Sequence, residues 1–474
     1  MIRPSLAASA PASGQPPGNA SKKVLCQLLH RIHLGTIFTR DIKKSGVHHR
    51  RGSLVPHDLL SPSRRTFLGG LLGASLAAGL TSCAGNSRST EIAFHQSKPE
   101  VIPYFRELIA EFNQATPGVR AVHDSSSGLS AGFARGNPPD LGCLNYNYEI
   151  VRFHERGAFS DLADLAPEAR IDPSIQALVD QYPTYPGRTS VIPYSMMAAA
   201  VLFNEEIFAE HDLEIPETYS EFIEVCEVLQ DAGVPPIYST YADPWTVAQG
   251  LVDYSVGGAI DVAEFLTRLR ELGPEAGPDA SVSFSQVLRE PLEKMLEIAA
   301  YSQPGAASRG YGDGNVAFAR GEAAMYLQGP WALTEIATIN PDAPVGIFPL
   351  PMTEDPEDLQ VRVNLDLALW IPEASPHQPQ ARELLRFLIA PEVADTYNED
   401  NLAFGVREDA PEVTDPRLQY LQTYVDRAAF YQGISQAIPR TIPFENYAQG
   451  IVTGQSLEQT LRTLDEDWAR LARR

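Results

Sequence analysis

The feature that most constrains the fold is a strand–helix–strand pattern within residues 91–122. Residues 91–96, EIAFHQ, are typical of a short buried strand, and residues 119–122 predict a second one. The helix between them stops at Pro117, and its apolar residues recur at helical spacing: Phe105, Leu108, Ile109 and Phe112. Because a crossover helix joins parallel strands, the pattern predicts an α/β fold with a parallel sheet.

The length of the chain, 474 residues, is too great for one ordinary hydrophobic core and favours two packed lobes. Helical periodicity returns in residues 149–154 and 218–230, where Thr218 and Glu221 form a capping box. A last amphipathic helix is predicted to begin at Ser456.

Charge is distributed unevenly along the chain. Residues 1–82 contain eleven Lys and Arg and two acidic residues, which leaves 26 basic and 58 acidic residues after position 82. A body this acidic repels phosphate backbones and anionic lipid headgroups, so we expect no nucleic-acid partner.

The charge boundary coincides with a targeting signal. Residues 63–68, SRRTFL, form a twin-arginine motif, and residues 67–80 form an uncharged run that is too short to span a bilayer. This pattern predicts twin-arginine export. The next residues, LTSC, resemble a lipoprotein cleavage box in which Cys83 becomes the lipid-bearing N-terminus, with residues 83–90 as a tether. The alternative is a buried apolar helix with a chance cysteine.

The first 60 residues match no pattern, and no methionine occurs between Met1 and Met196. Because a signal peptide normally starts close to its arginines, we expect synthesis to begin at Val47 or Val55, so that the residues before that start, 1–54 in the second case, are not translated. The alternative is a long disordered leader.

Two cysteines remain in the acidic body. Cys226 belongs to a helical apolar stripe, and a disulfide with Cys143 is possible outside the cell, although the sequence does not decide the pairing. The sequence contains neither CxxC nor HExxH, and we expect no metal and no cofactor.

Several stretches together resemble the extracellular solute-binding proteins of ABC sugar importers, the class that includes maltose-binding protein. The stretches lie at residues 138–165, 192–229, 318–331 and 368–392, and the most specific elements are NEEIF and GEAAM…GPW. The resemblance extends over roughly residues 90–470. It implies a two-lobed periplasmic-binding-protein-like α/β fold with an interlobe ligand cleft and several hinge crossings.

The resemblance also implies a domain organisation and partners. One lobe takes residues 90–193 plus 372–425, and the other takes residues 198–366 plus 430–474. A mono- or oligosaccharide closes between the lobes and is delivered to the transmembrane subunits of an ABC permease. We expect a monomer that is exported and held on the outer face of the cell membrane by the lipid at Cys83.

Sugar sites combine aromatic faces with polar groups that bind hydroxyls, beyond the carboxyl ends of strands. Trp331 follows Gly329-Pro330, which ends a predicted buried strand because proline cannot donate to a sheet ladder. The resemblance implies that Trp331 packs flat on a sugar ring; the alternative is a core anchor. It likewise implies ligand contacts for Asp243 and Trp245, although Asp243 could instead cap a helix.

Two further pairs follow from position alone. Asn145 and Tyr146 come after the strand-like residues 140–144 and would contribute from the other lobe, unless they form an exposed turn. Asn364 and Asp366 alternate with apolar residues near a lobe crossing. We interpret Asp366 as a carboxylate that faces the cleft; the alternative is an acidic residue at a sheet edge.

Four more residues complete the candidate ligand site. His95 and Gln96 end the first strand, where the related family often has Trp-His. Phe444 and Tyr447 lie in the PFENY loop before the final helix.

An extracellular hydrolase acting on glycans is the rival class. Residues 128–132, GLSAG, match the GxSxG pattern, which requires a serine on a sharp strand-to-helix turn. Here the surrounding residues predict a short helix that ends at Gly136, and no pair of carboxylates stands out for glycoside hydrolysis. The sequence therefore favours a binding protein without enzymatic activity.

Overall fold

The computed structural model describes residues 89–473. Their strands form one mixed eight-stranded sheet with the central order β2-β1-β3-β7-β4-β5, to which β6 adds beside β4 and β8 beside β7. The strands are β1 (Thr90–His95), β2 (Val119–Asp124), β3 (Leu141–Leu144), β4 (Ile192–Asn204), β5 (Met325–Gln328), β6 (Val345–Phe348), β7 (Val361–Trp370) and β8 (Phe430–Gln432).

The predicted strand–helix–strand unit is confirmed. β1 pairs with β2 in parallel, and the intervening helix, Ile102–Ala115, buries the four apolar residues that define its periodicity. β3 also pairs with β1 in parallel, which places the residues after His95 and after Leu144 at the same edge of the sheet.

Helices make up most of the chain between the strands. In the first half of the described chain the α-helices are Ile102–Ala115, Leu129–Ala134, Tyr148–Glu155, Ala166–Ala169, Pro173–Asp180, Glu205–Glu210, Tyr219–Asp231, Pro244–Thr246, Asp253–Gly257 and Val262–Glu271. In the second half they are Phe284–Val287, Arg289–Ala299, Tyr311–Ala319, Trp331–Ile339, Gln378–Leu388, Pro391–Asp400, Pro416–Asp426, Ile434–Ala437, Phe444–Val452 and Leu457–Ala472.

Helix ends follow the chemistry of the sequence. The Thr218 capping box is confirmed, since the Thr218 hydroxyl accepts from the Glu221 amide and the Glu221 carboxylate accepts from the Thr218 amide. The Ser456 side chain likewise accepts from the Gln459 amide at the start of the last helix. In the part of the chain that is described, no helix is long and apolar enough to cross a membrane.

Two long strands connect the two halves of the sheet. β4 is buried along its full length and pairs with β7 in antiparallel register, with register shifts between Pro193 and Met196. At the second shift, Met196 exchanges backbone hydrogen bonds with Phe404, at 3.1 and 2.7 Å. This irregular segment lies where the hinge crossing is predicted.

The buried apolar residues form two clusters. The smaller one surrounds β1, β2 and β3 and the helix Gln378–Leu388, whereas the larger one surrounds β5 and β6 and the helices between them. Cys143 belongs to the smaller cluster and Cys226 to the larger one, and both are free thiols. The leader, the twin-arginine motif and Cys83 lie outside the described residues.

Candidate functional site

The main candidate site is a cavity of about 380 Å³. Its lining comes from both segments that the sequence assigns to separate lobes. The first segment contributes Asn145, Asn147, Tyr148 and Glu149, and the second contributes polar residues that include Gln249, Asn364, Ser435, Gln436, Arg440 and Glu445. Phe444 adds an apolar ring beside Ile438, Ile442 and Pro443. Amides, carboxylates and one guanidinium thus converge on the same space.

A second cavity, of about 250 Å³, adjoins the first, because both are lined by Asn145, Asn147 and Glu149. His95, Ser97 and Ser127 extend its wall, together with the apolar residues Leu129, Leu144 and Ile150. Burial lowers the pKa of His95 and so favours the neutral ring. The Asp124 carboxylate opposes this with a smaller effect.

Asn145 is held in place by the crossing strand β7. Its Nδ2 donates to the Asp366 carbonyl at 2.7 Å and to the Asp366 carboxylate at 3.2 Å. The carboxylate also accepts from Lys98 Nζ at 2.7 Å and from the Tyr397 hydroxyl at 3.4 Å. Burial lowers the pKa of Lys98, but the carboxylates of Asp366 and Glu100 together raise it by more. The pKa of Lys98 therefore lies above its ordinary value. Asp366 therefore fixes Asn145 at the cavity wall and is itself 2% exposed.

Asn364 is positioned by a buried ion pair. Arg362 Nη1 donates to Asn364 Oδ1 at 2.7 Å, and Arg362 Nη2 lies 3.1 Å from Asp253 Oδ2. The Asp253 carboxylate also accepts from the Ser435 amide and hydroxyl, at 2.8 and 2.7 Å. One buried pair therefore orients two segments of the cavity wall, β7 and the residues after β8.

Asp243 and Trp245 lie together but do not line the main cavity. The Asp243 carboxylate accepts from the Tyr311 amide at 2.7 Å, at the start of the helix Tyr311–Ala319. The Trp245 and Tyr311 rings are 5.0 Å apart. Burial, with nearby Glu335 and Glu100, raises the pKa of Tyr311 to about 12. This aromatic pair is half-buried and lies within electrostatic reach of Glu100, from the other predicted lobe.

Trp331 begins a helix directly after β5, as the sequence predicts for the end of that strand. Its ring covers Gly329, since a β-carbon at position 329 would lie 2.3 Å from the indole. The indole Nε1 donates to Gln328 Oε1 at 3.2 Å, and the ring is half-buried against the larger core cluster. Trp331 does not line the two adjoining cavities in the described chain.

Three further predicted site residues also lie outside the lining of both cavities, as does the buried Asp366. Tyr146 is 1% exposed, and its hydroxyl bonds to His154 Nδ1 at 2.8 Å inside the larger core cluster, because its side chain points away from the surface of the loop. Gln96 is fully buried after β1, and its amide has no partner within residues 89–473. Tyr447 donates to Asp467 at 2.6 Å on a different surface.

Several residues that line the cavity are not among those predicted from the sequence. Glu149 and Arg440 face each other at 3.9 Å, yet they come from segments almost 300 residues apart. Gln249 lies in a π-helix, Val247–Val252. No sequence pattern predicts the wider turn of a π-helix. The proline-rich loop at residues 438–443 was a signal that could have drawn attention to Arg440.

The GxSxG serine does not have the geometry of a nucleophile elbow. Ser130 is the second residue of the helix Leu129–Ala134, and its hydroxyl donates to Glu149 Oε1 at 3.2 Å and accepts from Arg152. Within the described chain no histidine bonds to Ser130, so the motif lacks the base that activates a catalytic serine.

The chain is similar to known proteins of one family. The profile of the family described as bacterial extracellular solute-binding protein matches residues 97–395. The Multiple sugar-binding protein of Streptococcus mutans is 23% identical over 354 residues, which span 72% of this chain and 82% of that protein.

Solved structures show the same architecture. The apo form of RafE from Streptococcus pneumoniae superposes with a TM-score of 0.68 at 20% identity, over 81% of this chain and 98% of that chain. The complex of RafE with raffinose gives the same TM-score and identity, over 81% of this chain and 100% of that chain. These likenesses confirm the two-lobed α/β fold.

Proposed function

The chain belongs to the bacterial extracellular solute-binding proteins, and we propose that it captures a mono- or oligosaccharide in the cleft formed by the two adjoining cavities. The observation that carries this proposal is the composition of the cleft wall. Amide and carboxylate groups from Asn145, Asn147, Glu149, Asn364 and Gln436 converge there beside the ring of Phe444. Such groups exchange paired hydrogen bonds with sugar hydroxyls, while a ring covers an apolar sugar face.

The relatives support the ligand class. The matched Streptococcus mutans protein is named for binding multiple sugars, and the RafE structure was solved with raffinose. A galactose-containing oligosaccharide is therefore a sensible first member of a ligand panel.

In this proposal the lobes comprise residues 90–193 plus 372–425 and residues 198–366 plus 430–474. They close over the sugar by movement at β4 and β7, since hinged binding proteins bend at a few residues of their crossing segments. The closed receptor then delivers its ligand to the transmembrane subunits of an ABC permease. Export by the twin-arginine route and a lipid on Cys83 would hold the monomer at the membrane.

A thermal-shift panel with product analysis tests the proposal. The purified protein is heated with raffinose, galactose, maltose, chitin and xylan oligosaccharides, and each sugar is recovered and chromatographed. A bound sugar at 100 times its Kd should stabilise the protein by about 2.7 kcal/mol and return unchanged. A sugar that is cleaved would indicate the rival hydrolase, and a panel without any shift would contradict sugar binding.

A further inference from the structure

A third cavity, of about 300 Å³, lies apart from the sugar cleft and shares no lining residue with it. It is formed by the helix Pro391–Asp400, the following turn and the loop that leads to the helix Pro416–Asp426. Its volume is at the lower end of the range for small-molecule sites.

The cavity combines an apolar floor with an acidic rim. The floor contains Leu402, Ala403, Val413 and Leu418. The rim contains five carboxylates: Glu392, Asp395, Glu399, Glu412 and Asp415. A wall of this kind suits a cation that carries an apolar stem.

Two of the five carboxylates are neutralised within the fold. Asp395 binds the Arg407 guanidinium at 2.7 and 3.0 Å, and Asp415 binds Arg417 at 2.5 Å. The other three, Glu392, Glu399 and Glu412, have no basic partner within 4.0 Å in residues 89–473. The cavity therefore keeps a negative charge that the protein does not balance.

The hydroxyl donors on the wall are already engaged. The Thr396 hydroxyl donates to the Glu392 carbonyl at 2.7 Å, and the Thr414 hydroxyl donates to Glu399 Oε1 at 3.3 Å. The side-chain groups that remain free at the wall, the carboxylates of Glu392 and Glu412 and the Asn398 Oδ1, are hydrogen-bond acceptors.

A buried amide independently indicates a missing donor. Asn398 lines the cavity and is 5% exposed, and its Nδ2 donates to the Ala394 carbonyl at 2.8 Å. Its Oδ1 has no partner in the described part of the chain. Because an unsatisfied buried acceptor costs free energy, a ligand donor that reached Oδ1 from this cavity would be stabilising.

We propose that this cavity binds a small organic cation, an alkylguanidinium or alkylammonium, with its charged head among Glu399, Glu412 and Asn398 and its stem on Leu402 and Leu418. Guanidinium and ammonium groups offer only donors, which complements a wall of free acceptors. A methylene stem buries its apolar surface on the floor while the head stays at the rim.

The site adjoins the predicted hinge. Ala403 and Gly405 line the cavity on either side of Phe404, the residue that bonds to Met196 at the irregular segment of β4. The proposal itself concerns cation binding and holds or fails independently of sugar binding.

Isothermal titration calorimetry with butylguanidinium tests the proposal, and butylurea, its neutral isostere, is the comparison ligand. At low ionic strength the cation should bind with a Kd on the order of 1 mM or tighter, and butylurea at least about tenfold more weakly. Binding of both ligands with equal affinity, or no heat from butylguanidinium at about 10 mM, would overturn the site.

A matched pair of double variants locates the binding. Glu399→Gln with Glu412→Gln should weaken butylguanidinium binding by about tenfold without changing the melting temperature, because both side chains are exposed. The control, Glu383→Gln with Glu408→Gln, removes the same charge from exposed positions outside the cavity and should leave the affinity unchanged. An equal loss in both would show attraction to the acidic surface in general and would refute the site.

Discussion

At the scale of single residues, burial separates two kinds of tryptophan. Trp370 is fully buried and stacks on Phe159 with ring centroids 4.6 Å apart. Trp331 is half-buried at the start of a helix, and its Nε1 is engaged by Gln328. The same Gln328 side chain lies near Gly250, which is next to the cleft residue Gln249. Trp331 is therefore close to the cleft wall but is not part of its lining.

Trp331→Ala should reduce sugar affinity by about 2 kcal/mol, roughly 30-fold, with the unliganded melting temperature nearly unchanged, if Trp331 offers its face to the ligand. Trp370→Ala is the matched control and should cost about 3–5 kcal/mol of folding stability, because it empties a core position. Calorimetric titration and thermal unfolding of both variants measure the two effects. A large stability loss in Trp331→Ala with intact affinity would make it a core residue.

His154 should make the stability of the protein depend on pH. Burial lowers its pKa to about 4, while the Asp180 carboxylate opposes this weakly. Because the pKa is about 6.5 in the unfolded chain, the unfolded state binds the proton first as the pH falls. The stability contribution is complete above about pH 6.5 and is lost progressively toward about pH 4.

Thermal unfolding between pH 7 and pH 4.5 measures this dependence. His154→Gln should flatten it in part, since the pKa values of His95 and His123 are also lowered, mainly by burial. A His154→Gln profile as steep as that of the wild type would contradict the buried neutral ring.

At the scale of elements, local patterns predicted the scaffold better than the site. The helix Ile102–Ala115 and the capped helix Tyr219–Asp231 follow from periodicity and capping, which are properties of neighbouring residues. The meeting of Glu149 with Arg440 depends on how remote elements pack, and a single sequence does not encode this in any local pattern. Tyr146 is buried by a nearer partner, His154 on the next helix, and by the Tyr182 ring, 5.3 Å from its own.

Ser435→Ala tests whether the buried pair of Asp253 and Arg362 orients the cleft wall. It removes one hydrogen bond to Asp253 and should cost about 1 kcal/mol of stability. It should also weaken sugar binding roughly three- to tenfold, because Ser435 and the adjacent Gln436 both line the cleft. Ser375→Ala, which removes a comparable bond to Asp140 away from the cleft, should cost similar stability and leave affinity intact. Equal affinity in both variants would remove the positioning role.

At the scale of the whole molecule, the protein combines an acidic two-lobed body with a predicted membrane anchor. Cys83→Ser should prevent lipidation, because the thiol sulfur carries the diacylglyceryl group in the proposed pathway. Labelled fatty acid should then fail to incorporate, and the protein should leave the membrane fraction, since stable anchoring requires more than one acyl chain. Cys226→Ser, within the body, is the control and should stay labelled. A labelled Cys83→Ser protein would refute the anchor.

The most direct measurement is calorimetric titration of the wild type and of the Asn145→Ala, Asn364→Ala double variant with the sugar that gives the largest thermal shift. The wild type should bind one sugar per chain, and the double variant should bind at least about tenfold more weakly, because two amides of the cleft wall are lost. Gln459→Ala with Thr463→Ala, on a separate polar surface, is the control. If the cleft variant and the control both bound the sugar as tightly as the wild type, sugar capture in this cleft would be contradicted.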